Sequence, residues 1–409
     1  MHIAFISYEY PPETSYGGIG TYTFQLSTAL AAMGHDVEVF SCSHKKQLMN
    51  ECIHPHLLLH RVVANKRKIF SDAIVAIFSD RHSIYPFDII ESPEFGAEGA
   101  GIKRHFPNIP FTIKLHTPFY LHNRYNKNVK NVFLIERCKC LLKKFLNYQN
   151  YNKEADADYL FTITADSVSS PSFFLADILR KDWNLTNIKL LPNYYKANNS
   201  LLQLPIELHS KKVIGFIGRL EKRKGIYTIL NAIPSILAQY PDTIFRFIGA
   251  PGFTRDSTTL KDNYIHQTLE RYPANLQFTG YMPSNKLADA IKDVSVIIIP
   301  SIFENFPYVC LEAMAAGKSV IISSNSGMKE MFPNDKNRGC MIINPNNSKQ
   351  LSKAVIHLLN HNELRMQMGV NNRAYVIQQF ACDELLDRVI QFYKDTIFFV
   401  TKKGIPQQL

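Results

Sequence analysis

No apolar run in the sequence reaches the roughly 20 residues that a helix needs to span a bilayer, so an integral helical membrane protein is not expected. The opening Met-His-Ile-Ala-Phe-Ile-Ser lacks a basic region, a long apolar core and a small-residue cleavage site. It reads as a first strand, with the cytoplasm as the expected location. Cysteine is sparse and unpatterned: seven residues, an odd number, with Cys138 and Cys140 two apart and no Cys-x2-Cys pair. They read as reduced thiols, several of them small buried apolar residues. The His54, His56, His60 cluster has no partner motif, and no metal site is assigned. Acidic residues are nearly missing from one stretch. Between Gly99 and Lys153 stand eleven Lys or Arg against Glu136 alone. No nucleic-acid-binding module accompanies this charge, so nucleic acid is not the expected partner. Two readings stay open for the stretch, whose Asn131–Tyr148 part intersperses apolar residues. It is either the solvated face of a surface helix or a docking surface for an anionic membrane or a phosphate-bearing acceptor, the latter placing the protein peripherally at the inner membrane face.

What the chain does have fits a soluble globular protein of two domains: 409 residues, 46% apolar, 20% charged and a net charge of +11. Strand-like and helix-like segments alternate twice. Strands are expected at His2–Ser7, Val37–Phe40, Asp88–Glu91, Phe111–His116, Tyr159–Thr164 and Ile188–Leu191, with a helix over Thr21–Met33. The pattern lapses after Asn193 and resumes with strands at Val213–Gly218, Thr243–Ile248, Leu276–Gly280, Val294–Pro300, Ser319–Ser323 and Met341–Ile343. Such alternation implies parallel sheets covered by helices on both faces, with ligands at the strand ends. The expected division is a domain at 1–195, a linker at 196–210, a second domain at 211–380, and closing helices at 381–409.

The most informative segment is Ser301-Ile-Phe-Glu-Asn-Phe-Pro-Tyr-Val-Cys-Leu-Glu-Ala-Met-Ala-Ala-Gly317. It follows a continuous apolar run, Val294–Pro300, which reads as a buried parallel strand. Pro307 suits the first position of a helix, leaving the N–H groups of Tyr308, Val309 and Cys310 free to attract an anion. Glu304 then lies in the loop before the helix and Glu312 inside it, placed to grip a ribose diol.

This arrangement resembles the Glu-x7-Glu motif of retaining glycosyltransferases of family four, and the resemblance covers nearly the whole chain. It implies the α/β GT-B fold: two Rossmann-like, doubly wound domains facing a central cleft, with the C-terminal helix crossing back onto the first domain. Pro11-Pro-Glu-Thr-Ser-Tyr-Gly-Gly-Ile-Gly20 resembles the family's first glycine loop, which assigns Gly17 and Gly18 to the donor diphosphate and the acceptor. Without the resemblance it is an ordinary strand-to-helix turn. His116 matches the family's strand-end histidine beside the transferred sugar; taken alone it is structural. Gly218-Arg219-Leu-Glu-Lys-Arg-Lys224-Gly225 resembles the Gly-Arg-x5-Lys-Gly element, with four residues here between Arg219 and Lys224. In that role the two cations stabilise the departing nucleoside diphosphate; otherwise the segment is a basic surface turn. Glu312 is assigned to the ribose hydroxyls and Glu304 to the sugar ring, while Asn305, Phe306, Tyr308 and Val309 bring backbone N–H groups to phosphate or sugar. Without the resemblance Glu304 is a helix-proximal capping acid.

Two departures from the family pattern stand out. Pro192-Asn193-Tyr194-Tyr195-Lys196 replaces Pro-Asn-Gly followed by an acid, and Ser326-Gly327-Met328-Lys329-Glu330 carries one glycine where the family often has two. The resemblance implies a retaining enzyme moving a hexose-type sugar from a UDP- or GDP-sugar to an acceptor hydroxyl in glycan, polysaccharide or glycolipid synthesis. It implies no cofactor and no metal, with Arg219 and Lys224 in the place of a cation and no Asp-x-Asp site assigned. The acceptor is a glycan, a lipid-linked molecule or a small molecule. A silent GT-B scaffold, a glycan-binding protein and a nucleotide-sugar epimerase are the alternatives. A glycosidase carboxylate pair is disfavoured by the basic element.

Overall fold

The computed structural model describes residues 1–14, 17–45, 49–126, 151–208, 211–250, 267–268, 270–335 and 338–403. It divides into two compact units, Met1–Leu191 with Leu386–Leu409, and Pro192–Leu385. The chain passes between them at Leu191–Pro192, and the 196–208 stretch, with its short helix Asn199–Leu202, belongs to the second unit.

The strands of the first unit are β1 (His2–Ile6), β2 (Asp36–Ser43), β3 (Met49–His54), β4 (Leu57–Val63), β5 (Ile89–Pro93), β6 (Phe111–Lys114), β7 (Ser167–Ser170) and β8 (Ile188–Leu190). They form one sheet in the order β3-β4-β2-β1-β5-β6-β7-β8, parallel throughout except for the edge pair β3–β4. The first strand is wholly buried at the centre, where Ile3 faces Val37 on one side and Ile89 on the other. The order reverses between β1 and β5, so the segments that follow them open at a topological switch point. The last helix, Asp383–Lys403, starts in the second unit and continues in the first. Its Tyr393 hydroxyl donates to buried Glu91 on β5 (2.8 Å), which also accepts from Tyr22 (2.8 Å).

The second unit holds β9 (Val213–Ile217), β10 (Ile244–Ile248), β11 (Leu276–Gly280), β12 (Val296–Ile299), β13 (Ser319–Ser323) and β14 (Cys340–Ile343), all parallel, in the order β11-β10-β9-β12-β13-β14. The helix Ile226–Leu237 buries Ile226, Ile229, Leu230, Ile233, Ile236 and Leu237 against this sheet, the spacing of one helical face. Here the winding reverses between β9 and β12.

One expected strand needs correction, and two elements were not anticipated. The run Tyr159–Thr164 is not a strand; Ala157–Thr162 is a helix, with Asp156 at its N-cap accepting from the Asp158 amide (2.9 Å). A short apolar run does not by itself distinguish helix from strand, and the cap decides it. The strand of that region is β7, Ser-Val-Ser-Ser, whose serines hide it from a hydrophobic pattern; the Ser170 hydroxyl donates to the Ser172 carbonyl and Ser167 pairs with the Thr396 hydroxyl. The edge hairpin β3–β4 was not anticipated either.

Of the basic stretch 99–153, residues 127–150 lie outside the described residues, and with them Asn131–Tyr148 as a helix, Cys138 and Cys140. Its described cations are engaged within the fold. Lys103 meets Asp166 (3.0 Å), Arg104 meets Asp72 (2.7 Å), Arg124 meets Asp182 (3.6 Å), and buried Lys114 donates to the Leu191 carbonyl (2.5 Å). The balancing acids come from outside the stretch, where its own composition could not reveal them. Among the described residues no helix is long and apolar enough to cross a membrane.

Candidate active site

In the second unit, the segments after β9 and β12 meet at the switch point. Gly218 adopts φ 144°, and a Cβ on neighbouring Gly249 would lie 2.1 Å from the Gly218 carbonyl oxygen, so this turn needs glycine. Gly225 adopts φ 79°, and a Cβ there would lie 2.1 Å from the Pro300 carbonyl oxygen. That bare backbone lets the Lys222–Lys224 turn close against the end of β12. Lys224 and Glu304 are thereby brought into direct contact through Nζ and Oε1. Arg223 completes the cluster: its Nη1 donates to Glu304 Oε1 (3.0 Å) and to the Phe303 carbonyl (3.2 Å), and its Nη2 to Glu221 (2.9 Å). Burial alone would raise the Glu304 pKa; Lys224 and Arg223 outweigh it and hold the carboxyl below its usual range. The Glu304 carbonyl accepts from the Gly327 amide (3.0 Å), fixing the loop after β13.

Arg219 contrasts with these neighbours. Its side chain is 49% exposed, and its nearest carboxylate, Glu221, is 3.8 Å away. Among the described residues that is its one ion pair.

The helix Tyr308–Ala315 starts one residue later than expected: Pro307 is its N-cap, at φ −76° and ψ 127°. The amide of Cys310 is not free, because it donates to the Pro307 carbonyl (3.0 Å). Tightening of the first turn leaves only Tyr308 and Val309 with amides that have no acceptor among the described residues. Glu312, one turn on, makes no hydrogen bond or ion pair among the described residues, and burial pushes its pKa up to about 7. Asn305 and Phe306 are buried; the Phe306 ring packs edge-on against Phe380 (5.6 Å) and the Tyr308 hydroxyl donates to the Tyr194 carbonyl (3.3 Å). Their side chains therefore serve the core, and what they could offer a ligand is backbone.

In the first unit, Gly17 is the N-cap of the helix Gly18–Ala32. A Cβ on Gly18 would meet nothing within 4 Å, and one on Gly17 would make ordinary contact with Glu9 at 3.4 Å, whereas at Gly20 it would crowd Glu9 Cβ at 3.1 Å. Packing therefore requires the third glycine and leaves room at the first two. His116 lies two residues beyond β6, and its amide donates to both carboxylate oxygens of buried Glu94 (2.9 Å each). Burial, with Lys114 and Arg67 nearby, pulls the imidazole down to about 3, so it is neutral at ordinary pH. The Tyr22 ring meets it edge-on at 5.1 Å. One Asp-x-Asp triplet, Asp156-Ala157-Asp158, was passed over in the sequence. Its carboxylates are engaged locally: Asp156 accepts from Tyr151 (2.6 Å), and Asp158 from the amides of Gly96 (2.8 Å) and Phe119 (2.7 Å).

Two family descriptions match this chain: Glycosyltransferase Family 4 over residues 16–195 and Glycosyl transferases group 1 over residues 205–375. The chain belongs to the family-four glycosyltransferases. It is similar to an uncharacterized glycosyltransferase of Methanocaldococcus jannaschii, 24% identical over 96% of this chain and 98% of that one. Among solved structures it resembles sucrose-phosphate synthase from Thermosynechococcus elongatus, with TM-score 0.71, 20% identity and coverage of 96% and 98%. It also resembles Anabaena HepE in complex with UDP, with TM-score 0.63, 16% identity and coverage of 97% and 100%. These structural likenesses carry the GT-B fold.

Within this glycosyltransferase, then, Lys224, Glu304 and the turn after Gly218 come together, and Glu312 follows on the adjoining helix. Arg223 and Glu221 were missed. Arg223 was masked by its place in Lys222-Arg223-Lys224, where charge alone gives no order of importance. Its signal was indirect: two acids flanking glycine-bound turns need a cation if they are buried.

Proposed function

We propose that this glycosyltransferase is a retaining, metal-independent enzyme that takes its sugar from a nucleoside-diphosphate donor. The observation that carries the reading is Glu312: a partly buried carboxylate with no partner among the described residues, beside two helix amides that also lack an acceptor there. Such a group is disfavoured in the free protein and is satisfied by hydroxyl donors such as a ribose diol. The amides of Tyr308 and Val309 and the exposed Arg219 then suit the diphosphate. As the bond between the anomeric carbon and the β-phosphate oxygen breaks, charge grows on that oxygen. Arg219 and Lys224 steady it, and the departing phosphate helps take the proton of an acceptor hydroxyl attacking from the same face. Ionised Glu304, held by Lys224 and Arg223, is oriented toward the sugar hydroxyls. His116 offers a neutral imidazole to a sugar hydroxyl, and the room at Gly17 and Gly18 admits a phosphate or hydroxyl close to the backbone. No cofactor enters this scheme. The UDP of the HepE complex makes UDP-sugars the first donors to try.

The test is turnover and binding across UDP-, GDP-, ADP- and dTDP-sugars in excess chelator, with the product's anomeric configuration read by NMR. Arg219→Ala is expected to keep the fold and lower kcat/KM by about 10²-fold or more. Full activity of that variant, a product of inverted configuration, or activity restored only by added divalent metal would each refute the corresponding part.

A further inference from the structure

The second unit carries another concavity, at the opposite ends of its strands from Lys224 and Glu304. Its walls come from residues just ahead of β12 and β13, including Val294 and Lys318, from Ile206 and Glu207, and from Arg365 and Met366 on the helix Asn362–Phe380. It is shallow and open to solvent, with about 20 Å³ of room for water within it. Because β9, β12 and β13 run parallel, the transferase residues of this unit follow strands, whereas Ile206, Glu207, Val294 and Lys318 precede them.

The lining is cationic. Lys318 is 5% exposed, and its Nζ donates once, to the Lys292 carbonyl (2.8 Å), leaving two N–H bonds. Arg365 Nε is buried without an acceptor among the described residues, while its Nη2 donates to Asn362 Oδ1 (2.5 Å). Arg373, behind Gly317, is engaged by the carbonyls of Ala315 (3.0 Å) and Leu204 (2.6 Å). Among the described residues none of the three cations has a carboxylate within 4.0 Å. Asp293 is bound to Arg246 (3.0 Å), and Glu207, on the rim, is exposed. Burial pulls Lys318 down to about 8 against the opposing pull of Asp293 and Glu207, and it lowers both arginines, so the three have lost water without a carboxylate in direct contact. Capping explains two of them, since Lys292 and Ala315 stand at helix C-termini. It does not explain Arg365.

We propose that this concavity is an anion site for a single phosphoryl group, presented as inorganic phosphate or as a phosphate monoester. Lys318, just ahead of β13, and Arg365, on the helix Asn362–Phe380, line the concavity from two elements, and N–H groups left over on both suit a group with several acceptor oxygens. The site stands apart from the donor reading. It is joined to it through the chain, since Lys318 comes three residues after the helix that carries Glu312.

Hydrogen exchange of the full chain, with inorganic phosphate against chloride at equal ionic strength, locates the binding. The expected result is phosphate-specific protection of 292–296 and 316–320, with Arg365→Gln weakening it by about tenfold, as for one lost charge-assisted hydrogen bond. Arg365 is partly exposed on a long helix, so the variant folds; Lys318→Gln serves as the second variant. Peptides over 218–226 report the donor side separately and keep their own phosphate response in Arg365→Gln. A hexose phosphate acting at lower concentration than phosphate assigns the ester; the reverse assigns the free ion. No phosphate-specific protection at 292–296 and 316–320, or the same protection in both variants, overturns the proposal.

Discussion

Glu312 makes the sharpest quantitative case, because its environment can be tested before any substrate is known. Its pKa rises from the ordinary 4.5 to about 7, with burial as the cause. A carboxyl raised in the folded state binds its proton more tightly there than in the unfolded chain, so stability falls as pH rises from 4.5 to 7 and is level beyond. At about 1.4 kcal/mol for each unit of pH, the full loss is about 3 kcal/mol. Glu312→Gln removes this titration while keeping the shape. Its amide is also without a partner, which adds a cost that does not vary with pH. The diagnostic is therefore the slope of the variant-minus-native difference, not its offset. Other raised carboxyls, such as Glu94 at about 8 and Asp158 at about 6, cancel in that difference. Tryptophan fluorescence would miss the effect, since the single tryptophan, Trp183, lies in the first unit. Scanning calorimetry sees both units. Between pH 4.5 and 8 the Tm of Glu312→Gln is expected to gain on the native protein by several degrees, at about 2–4 °C per kcal/mol for a domain of 150–250 residues. Parallel Tm profiles would refute the claim that burial raises the Glu312 carboxyl. A saturating nucleotide donor should flatten the native profile, and the variant should bind that donor weakly.

Other expectations concern the charged cluster and the glycines. Arg223→Ala leaves Glu221 and Glu304 short of a buried cation and is expected to cost about 3 kcal/mol, read as a Tm loss in the second unit's calorimetric transition; an unchanged Tm would deny the cluster its structural role. Gly18→Ala has open space and gains helix propensity of up to about 1 kcal/mol, so it should fold at least as well as the native protein while losing transferase activity. If activity survives, the room at Gly18 serves no ligand. Since His116 is neutral down to about pH 3, kcat/KM should show no ionisation belonging to it between pH 5 and 8, and His116→Asn should leave the shape of the pH profile unchanged. Vesicles of acidic lipid should sediment the chain at low salt if the cations of residues 127–150 serve as a membrane contact; no sedimentation would remove that reading.

What could be read from the sequence followed the physics of each signal. Buried parallel strands such as Val-Ile-Ile-Ile of β12 announce themselves, and so does a helix with one apolar face such as Ile226–Leu237. Glycines were legible where the chain has to turn or touch, as at Gly218 and Gly225. Strand β7 was not, because three serines in four residues carry no hydrophobic pattern, and their burial depends on neighbours distant in the chain. The partners of charge were the least legible. Lys224 and Glu304 were each singled out for a ligand, yet they face each other, and Arg223, eighty-one positions from Glu304, binds the same oxygen. Spacing along a chain encodes which residues share a helix face; it does not encode which buried acid will find which base. That choice rests on the backbone approach at Gly225 and Pro300, where a single Cβ would force the turn away from β12. By this reasoning the site's electrostatics hang on a glycine. Gly225→Ala should separate Lys224 from Glu304 and abolish turnover, even though no charged residue has been touched. An active, normally folded Gly225→Ala protein would show that the contact is not what holds the site together.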